Sequence, residues 1–221
     1  MAATPGRQRG PKQGKRSLTK KPGFIGLGVV VLLGVVLLAG FLVGRARSAP
    51  ALAGGVFNDT PPAPNFTLID HNGQSFTMDS TRGKVVALTF LYVHCPDVCP
   101  VIANKLAGSV SQLGAGAQNV DMLAVSMDPV GDTRLAVNEF TRAHGLDTFS
   151  NWHYLIGSPS QLHNVWSDYH VDAQPDPADS AFVGHSALVY LIDRTGKLRV
   201  LLDANFKPAD LLQDLKVLLS S

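Results

Sequence analysis

The feature that most constrains the fold of this chain is a strand pattern that leads directly into a pair of cysteines. Residues 85–93 (VVALTFLYV) are mainly apolar and partly β-branched, which is typical of a strand buried on both faces. The motif CPDVCP follows at residues 95–100, and apolar residues at helical spacing continue from there until Gly114. A strand, a cysteine motif and a helix in this order place Cys95 at the carboxyl edge of a sheet, where α/β folds hold their sites.

Strand and helix patterns alternate over the remainder of the chain, which predicts an α/β fold with a mixed sheet flanked by helices. The turn DHNG at residues 70–73 predicts a hairpin, and Asp132 or Thr133 is expected to cap the helix that ends near Ala143. Residues 171–183 predict a polar loop. The other predicted elements are strands at 120–126 and 152–156, a hairpin from 187 to 203, and helices at 159–169 and 208–219.

The N-terminal region combines a basic segment with an apolar one. Residues 1–22 contain seven Lys or Arg and no acidic residue, and residues 24–44 contain no charged side chain. An apolar stretch of about 20 residues is long enough to cross a bilayer, and positive charges before it predict a cytoplasmic N-terminus. We therefore expect a single transmembrane helix ahead of the folded part. The rival interpretation is a signal peptide cleaved within residues 49–53.

This pattern predicts four regions: a basic cytoplasmic N-terminus (1–22), a transmembrane anchor (23–44), a Pro/Ala-rich linker (45–64) and a folded domain (65–221). The predicted localisation is the inner membrane of a bacterial cell, as a single-pass protein with its C-terminal domain outside the cytoplasm. From residue 56 onward, ten basic residues stand against seventeen acidic ones. The folded part is therefore acidic, and nucleic acid is not an expected partner.

Cys95 and Cys99 are the only cysteines in the sequence, and a cross-link between residues so close together would stabilise the fold very little. Their purpose is therefore chemical. Pro100 suits the first helical turn, which would place Cys99 at or near the N-cap, where the helix dipole favours thiolates. Two thiolates at this spacing can close a disulfide or bind a soft cation such as Cu(I), and an added imidazole would let the same site hold Cu(II).

Seven histidines could supply that imidazole. His185 differs from the others because it lies between the polar loop and the buried strand that follows, where it could face a neighbouring site. Asp97 is expected at the helix N-terminus, and Asp128 and Asp132 as turn and cap residues rather than ligands. Structural or surface roles are the default for His71, His94, His144 and His163.

Three segments, FLYVHCPDVCP, SMDPVGDT and VGHSALVYLIDRTG, together resemble the Sco/SenC family of membrane-anchored copper proteins. The resemblance covers roughly residues 57–215. It implies a thioredoxin-like fold and one copper ion, Cu(I) or Cu(II), bound by Cys95, Cys99 and His185. It also implies a role in the assembly of cytochrome c oxidase, with the copper-bearing subunit of that enzyme, or another copper protein, as the partner.

The sequence departs from the family pattern at three positions: Val93 stands in place of Thr, Gly131 in place of Arg, and Gly184 in place of Asp. An Asp beside a ligand histidine can orient the imidazole. Because Gly184 lacks such a side chain, we expect a copper ion that is held less rigidly than in typical members of the family.

The alternative function is that of an extracytoplasmic thiol–disulfide oxidoreductase, with Cys95 and Cys99 as a redox-active pair that holds no stoichiometric copper. Two features favour a metallochaperone over such an enzyme. The spacing is CxxxC rather than the CxxC of dedicated reductases, and residues 183–187 (VGHSA) offer an imidazole where those reductases have a proline. A peroxidase fits less well, because the related peroxidases carry a threonine shortly before the reactive cysteine and this chain does not.

Overall fold

The computed structural model describes residues 24–47, 51–171, 173–175, 183–185 and 187–221. The chain divides after Ser48 into two units. The described part of the first unit is helix α1 (Phe24–Arg47). The second unit contains strands β1 (Gly55–Val56), β2 (Thr67–Asp70), β3 (Ser75–Thr77), β4 (Val85–Leu91), β5 (Val120–Ser126), β6 (Trp152–Ile156), β7 (Ala173–Pro175), β8 (Val183–His185), β9 (Leu188–Ile192) and β10 (Leu198–Asp203). Its helices are α2 (Val98–Ser111), α3 (Arg134–Ala143), α4 (Pro159–Asp168) and α5 (Pro208–Ser220).

The predicted membrane localisation is not supported by the structure. Crossing a bilayer takes about 20 consecutive apolar residues in one helix. Across the residues that the structure describes, no helix combines the length and the hydropathy that this requires. The prediction of a single-pass inner-membrane protein, with its N-terminus in the cytoplasm and its C-terminal domain outside, is therefore wrong. Residues 1–22, the predicted cytoplasmic segment, lie outside the described residues.

The main sheet of the second unit is mixed, with the strand order β1-β10-β9-β4-β5-β6-β2-β3. β4 pairs in parallel with β5, and β5 in parallel with β6, whereas the pairs on either side are antiparallel. Every residue of β4 and β5 is buried, so both faces at the centre of the sheet are covered. Helix α2 packs against α5, and α3 packs against β6. The predicted mixed α/β sheet with flanking helices is confirmed.

Local sequence signals explain where two of the helices begin. Thr133 caps α3, because its Oγ1 accepts a hydrogen bond from the Ala136 N–H at 3.2 Å. Ser158 and Gln161 form a reciprocal capping box ahead of α4, and Pro159 occupies the first helical position. Both starts agree with the predicted boundaries.

The segment that precedes the predicted domain contacts the sheet. The N–H groups of Ala53 and Gly54 donate to the carboxylate of Asp214 on α5, at 2.5 and 3.1 Å. β1 then pairs with β10, and the Ala63 N–H bonds to the Gly196 carbonyl at 2.9 Å. The sequence predicts residues 51–64 as part of a linker, but hydrogen bonds of their backbone hold them against the domain. The pattern of side chains in the sequence does not predict these bonds.

The predicted polar loop at residues 171–183 is bounded by two short strands. β7 and β8 pair in a separate antiparallel ribbon, in which Ala173 lies opposite His185. Residues 176–182 of the predicted loop lie outside the described residues. β9 then pairs antiparallel with β4, with Val189 opposite Thr89. The amino end of β9 consequently lies at the same edge of the sheet as the carboxyl end of β4, where the cysteine motif begins.

Candidate metal centre

The cysteine motif occupies the turn between β4 and α2. β4 ends at Leu91, and the Cys95 N–H donates to the Tyr92 carbonyl at 3.3 Å, which closes the turn. Helix α2 begins at Val98, two residues before the predicted start, so Cys99 lies in the first helical turn, two residues after the N-cap. Pro100 fits in this first turn because the first N–H groups of a helix have no partner within the helix. Asp97 is the N-cap residue, although its side chain makes no capping hydrogen bond.

The two sulfur atoms are brought together by this turn. Both cysteines are free thiols, and the Cys99 N–H donates to Cys95 Sγ at 3.4 Å. Cys95 is 6% exposed, whereas Cys99 is fully buried. A reagent or metal ion in solution therefore reaches Cys95 before it reaches Cys99.

The two thiols differ in acidity. A hydrogen bond from the Cys99 thiol lowers the pKa of Cys95 to about 5, helped by the backbone N–H groups of Asp97 and Cys99 and opposed by burial. The same hydrogen bond raises the pKa of Cys99, and burial and the nearby charge of Asp132 add to that increase. At neutral pH the pair therefore favours a thiolate at Cys95 and a thiol at Cys99. Such a pair can attack a disulfide or bind a soft metal ion, which would release the Cys99 proton.

Asp132 has a different role from the predicted helix cap, because Thr133 is the residue that caps α3. The Asp132 carboxylate is 4% exposed. It accepts hydrogen bonds from the Val93 N–H at 2.9 Å, the Ser126 hydroxyl at 2.7 Å and the Tyr154 hydroxyl at 3.1 Å. Burial raises the pKa of Asp132 to about 6. The sequence pattern gave no signal for this buried network.

Asp128 has the predicted turn role. Its carboxylate accepts hydrogen bonds from the N–H groups of Val130 and Gly131 at 3.0 and 2.8 Å. A Cβ atom at Gly131 would collide with this carboxylate and would lie 3.0 Å from Nδ1 of His94. Glycine at this position therefore leaves room for the exposed His94 imidazole beside the turn, where the resembling family has an arginine.

The third predicted ligand is placed by its backbone alone. His185 ends β8, three residues before the start of β9, and its side chain lies outside the described residues. The Thr89 hydroxyl of β4 bonds to the Leu188 carbonyl at 2.8 Å, so the chain that leaves His185 enters the sheet beside the strand that leads to Cys95. Within the described part of the chain, no group of three or more His, Cys, Asp or Glu side chains could hold a metal ion. The assignment of Cys95, Cys99 and His185 as a ligand set stays a prediction.

Known proteins match this chain over most of the second unit. The SCO1/SenC family model matches residues 58–220. A SCO2-like protein of Rickettsia conorii is 30% identical over 176 residues, which cover 76% of this chain and 83% of the relative. The structure of Bradyrhizobium japonicum ScoI with copper bound is 29% identical, covers 71% of this chain and 99% of that one, and gives a TM-score of 0.63. The structure of Arabidopsis thaliana ScoI with copper bound is 28% identical and gives a TM-score of 0.61. The match covers 70% of this chain and 95% of the Arabidopsis chain.

These matches agree with the three sequence segments that carry the resemblance. The family model includes the cysteine motif, the DPVGDT turn and the segment around His185. The fold likeness to the two ScoI structures confirms the thioredoxin-like class of the sheet. The chain therefore belongs to the SCO1/SenC family.

Proposed function

We propose that this protein is a copper metallochaperone that takes up one copper ion, as Cu(I) or Cu(II), through Cys95, Cys99 and His185. It passes the ion by ligand exchange to the copper-bearing subunit of cytochrome c oxidase or to another copper protein. The observation that carries the proposal is the pair of free thiols, whose sulfur atoms share a hydrogen bond at the carboxyl edge of the sheet. The copper-bound ScoI proteins that this chain resembles support copper as the metal.

The described chemistry of the thiols suits this role. Cu(I) is soft and is satisfied by two thiolates, so Cys95 supplies a ready ligand and Cys99 a second one once its proton leaves. Cu(II) prefers additional nitrogen donors, which is the role proposed for His185. Because Cys95 is the more accessible thiol, an incoming ligand from a partner would exchange there first.

The test is a copper titration of the full chain and four variants. Cu(I) affinity is measured by competition with a chromophoric chelator, and Cu(II) binding by its thiolate absorption. Cys95→Ser or Cys99→Ser should abolish both, because a neutral hydroxyl is a poor ligand. His185→Ala should weaken Cu(II) far more than Cu(I). His94→Ala removes an exposed imidazole next to Cys95 and serves as the matched control, with both affinities expected to stay unchanged.

The redox-only alternative gives a different result in the same experiment. A thiol–disulfide oxidoreductase would bind no stoichiometric copper as wild type, and its disulfide exchange would survive His185→Ala. That outcome would refute the copper proposal. Unchanged Cu(II) binding in His185→Ala would remove His185 from the site and direct the search to His94 and His170.

A further inference from the structure

Asp132 joins three strands of the sheet at the edge where the cysteine motif begins. One carboxylate oxygen accepts the N–H of Val93, which lies in the turn two residues before Cys95. The other accepts the hydroxyl of Ser126, the last residue of β5, and the hydroxyl of Tyr154 in β6. The exit of β4 is thereby tied to its two parallel neighbours through one side chain.

Burying the charge of this carboxylate costs free energy. No ion pair among the described residues includes Asp132, and a buried carboxylate without a cation destabilises a fold unless hydrogen bonds offset the loss of water. Asp132 uses both oxygens in hydrogen bonds, and the one to Val93 is the only one of the three that reaches the cysteine turn. This bond is therefore a contact that an apolar side chain of the same size could not replace.

The two cysteines are held by different parts of the structure. Cys99 belongs to α2, which packs against α5. Cys95 lies in the turn before that helix. The Tyr92 carbonyl accepts the Cys95 N–H, and the Asp132 carboxylate accepts the N–H of Val93, two residues before Cys95. The Cys99 sulfur also accepts a hydrogen bond from the Tyr92 N–H. A change at Asp132 would therefore act on the site from the side of the turn, while α2 keeps its packing against α5.

We propose that Asp132 is a positioning residue for the cysteine pair: its carboxylate fixes the turn that carries Cys95 against the end of β5 and against Tyr154 in β6, and so sets the approach of the two sulfur atoms. The inference rests on the proposed function, because a fixed approach matters only where both thiols bind one ion or form one bond.

The chain offers a matched control for this proposal. Asp214 is likewise a buried carboxylate, and it accepts two backbone N–H groups, those of Ala53 and Gly54. These bonds hold β1, which is separated from β4 by β10 and β9. Asp214→Ala therefore removes two hydrogen bonds to a buried carboxylate without touching the cysteine turn.

The experiment measures two equilibria on the full chain as wild type, Asp132→Ala, Asp132→Asn and Asp214→Ala. The first is Cu(I) affinity by chelator competition. The second is disulfide formation with glutathione, in which glutathione disulfide accepts two electrons and two protons from the Cys95 and Cys99 thiols and leaves as two molecules of reduced glutathione. Both are measured well below the unfolding temperature of each variant, which circular dichroism supplies.

Asp132→Ala should weaken Cu(I) binding and lower the disulfide equilibrium constant by roughly tenfold each, the effect of losing one hydrogen bond to a charged group. Asp132→Asn should recover most of both, to within about threefold, because its amide oxygen still accepts the Val93 N–H and the hydroxyls of Ser126 and Tyr154 can rotate to accept from its nitrogen. Asp214→Ala should lower the unfolding temperature and leave both equilibria unchanged.

Equal values for wild type and Asp132→Ala, or equal losses in Asp132→Ala and Asp214→Ala, would show that Asp132 acts on stability alone and would overturn the inference. A wild type that binds no copper would instead overturn the proposed function itself, whether or not the two cysteines form a disulfide. If Asp132→Ala does not fold, the inference is tested instead by hydrogen exchange of the Val93 amide in the wild type. We expect protection similar to that of the amides within β4, and exchange as fast as that of an exposed loop would overturn the inference.

Discussion

Replacing Asp132 by asparagine should change how the stability of the folded unit depends on pH. Burial raises the pKa of Asp132 to about 6, compared with its ordinary value of 3.8. The folded state therefore holds this proton more tightly than the unfolded state. The resulting contribution to stability is fully present below pH 3.8 and is lost as the pH rises through 6.

The size of the effect follows from these two values. At roughly 1.4 kcal/mol per pKa unit, the difference between them corresponds to about 3 kcal/mol of stability lost by neutral pH. The carboxylate is 4% exposed, so solvent screening does not reduce this figure appreciably. Asparagine has the same shape and carries no charge at any pH. The free energy of unfolding of Asp132→Asn should therefore rise relative to wild type by about 2 to 3 kcal/mol between pH 4 and pH 7.5.

The assay is urea unfolding of wild type and Asp132→Asn at a series of pH values. Trp152 and Trp166 are the two tryptophans of the chain and both lie in the second unit, so their fluorescence reports on its unfolding. Subtracting the two curves cancels the titration of the other groups, which both proteins share. A difference in unfolding free energy that stays constant from pH 4 to pH 7.5 would refute the reasoning, because it would show that the Asp132 carboxyl titrates equally in the folded and unfolded states.

Three further predictions concern separate parts of the molecule. Alkylation of the full chain by iodoacetamide should follow a titration of Cys95 near pH 5. Cys99→Ala should raise this midpoint, because the hydrogen bond from the Cys99 thiol is lost, and an unmoved midpoint would contradict the assigned cause. Thr133→Ala removes the α3 cap and should lower the free energy of unfolding, measured in urea, by about 1 kcal/mol. The Cu(I) affinity should stay unchanged, and a change in it would contradict a purely local role. Asp214→Ala should release residues 51–56, so that their backbone amides exchange hydrogen faster than those of β4. Unchanged exchange at residues 51–56 would show that β1 is held by its pairing with β10 alone.

The centre of the fold could be predicted from sequence because its signals are local. The run at residues 85–93 is apolar without interruption by a charge, and the strand occupies Val85–Leu91. The helix after the motif was expected from apolar spacing, but its start lies two residues earlier because a proline is tolerated anywhere in the first turn. β1 has two residues, too few to show a period, and is held by hydrogen bonds from other elements.

The candidate site could be predicted in part. Cys95 and Cys99 are marked by their own spacing, whereas the partners of Asp132 are distant in the chain: Val93 lies 39 positions before it and Tyr154 lies 22 positions after it. A local pattern suggests a cap for an acidic residue ahead of a helix, and only the folded arrangement shows that the neighbouring Thr133 takes that role. The wrong localisation likewise came from signals along the sequence alone, namely the apolar stretch at residues 24–44 and the basic residues before it.

The complete burial of Cys99 has a consequence for oxidative damage. Hydrogen peroxide would meet the Cys95 thiolate first and convert it to a sulfenic acid, and the hydroxide that leaves takes up a proton from solvent to become water. The Cys99 thiol lies within hydrogen-bonding contact of that sulfur, so it can displace the hydroxyl group as a second molecule of water and close a disulfide. Oxidation is thereby directed to a bond that cellular thiols can reduce, ahead of the sulfinic and sulfonic acids that they cannot. Cys99 thus protects the more accessible Cys95 against irreversible inactivation.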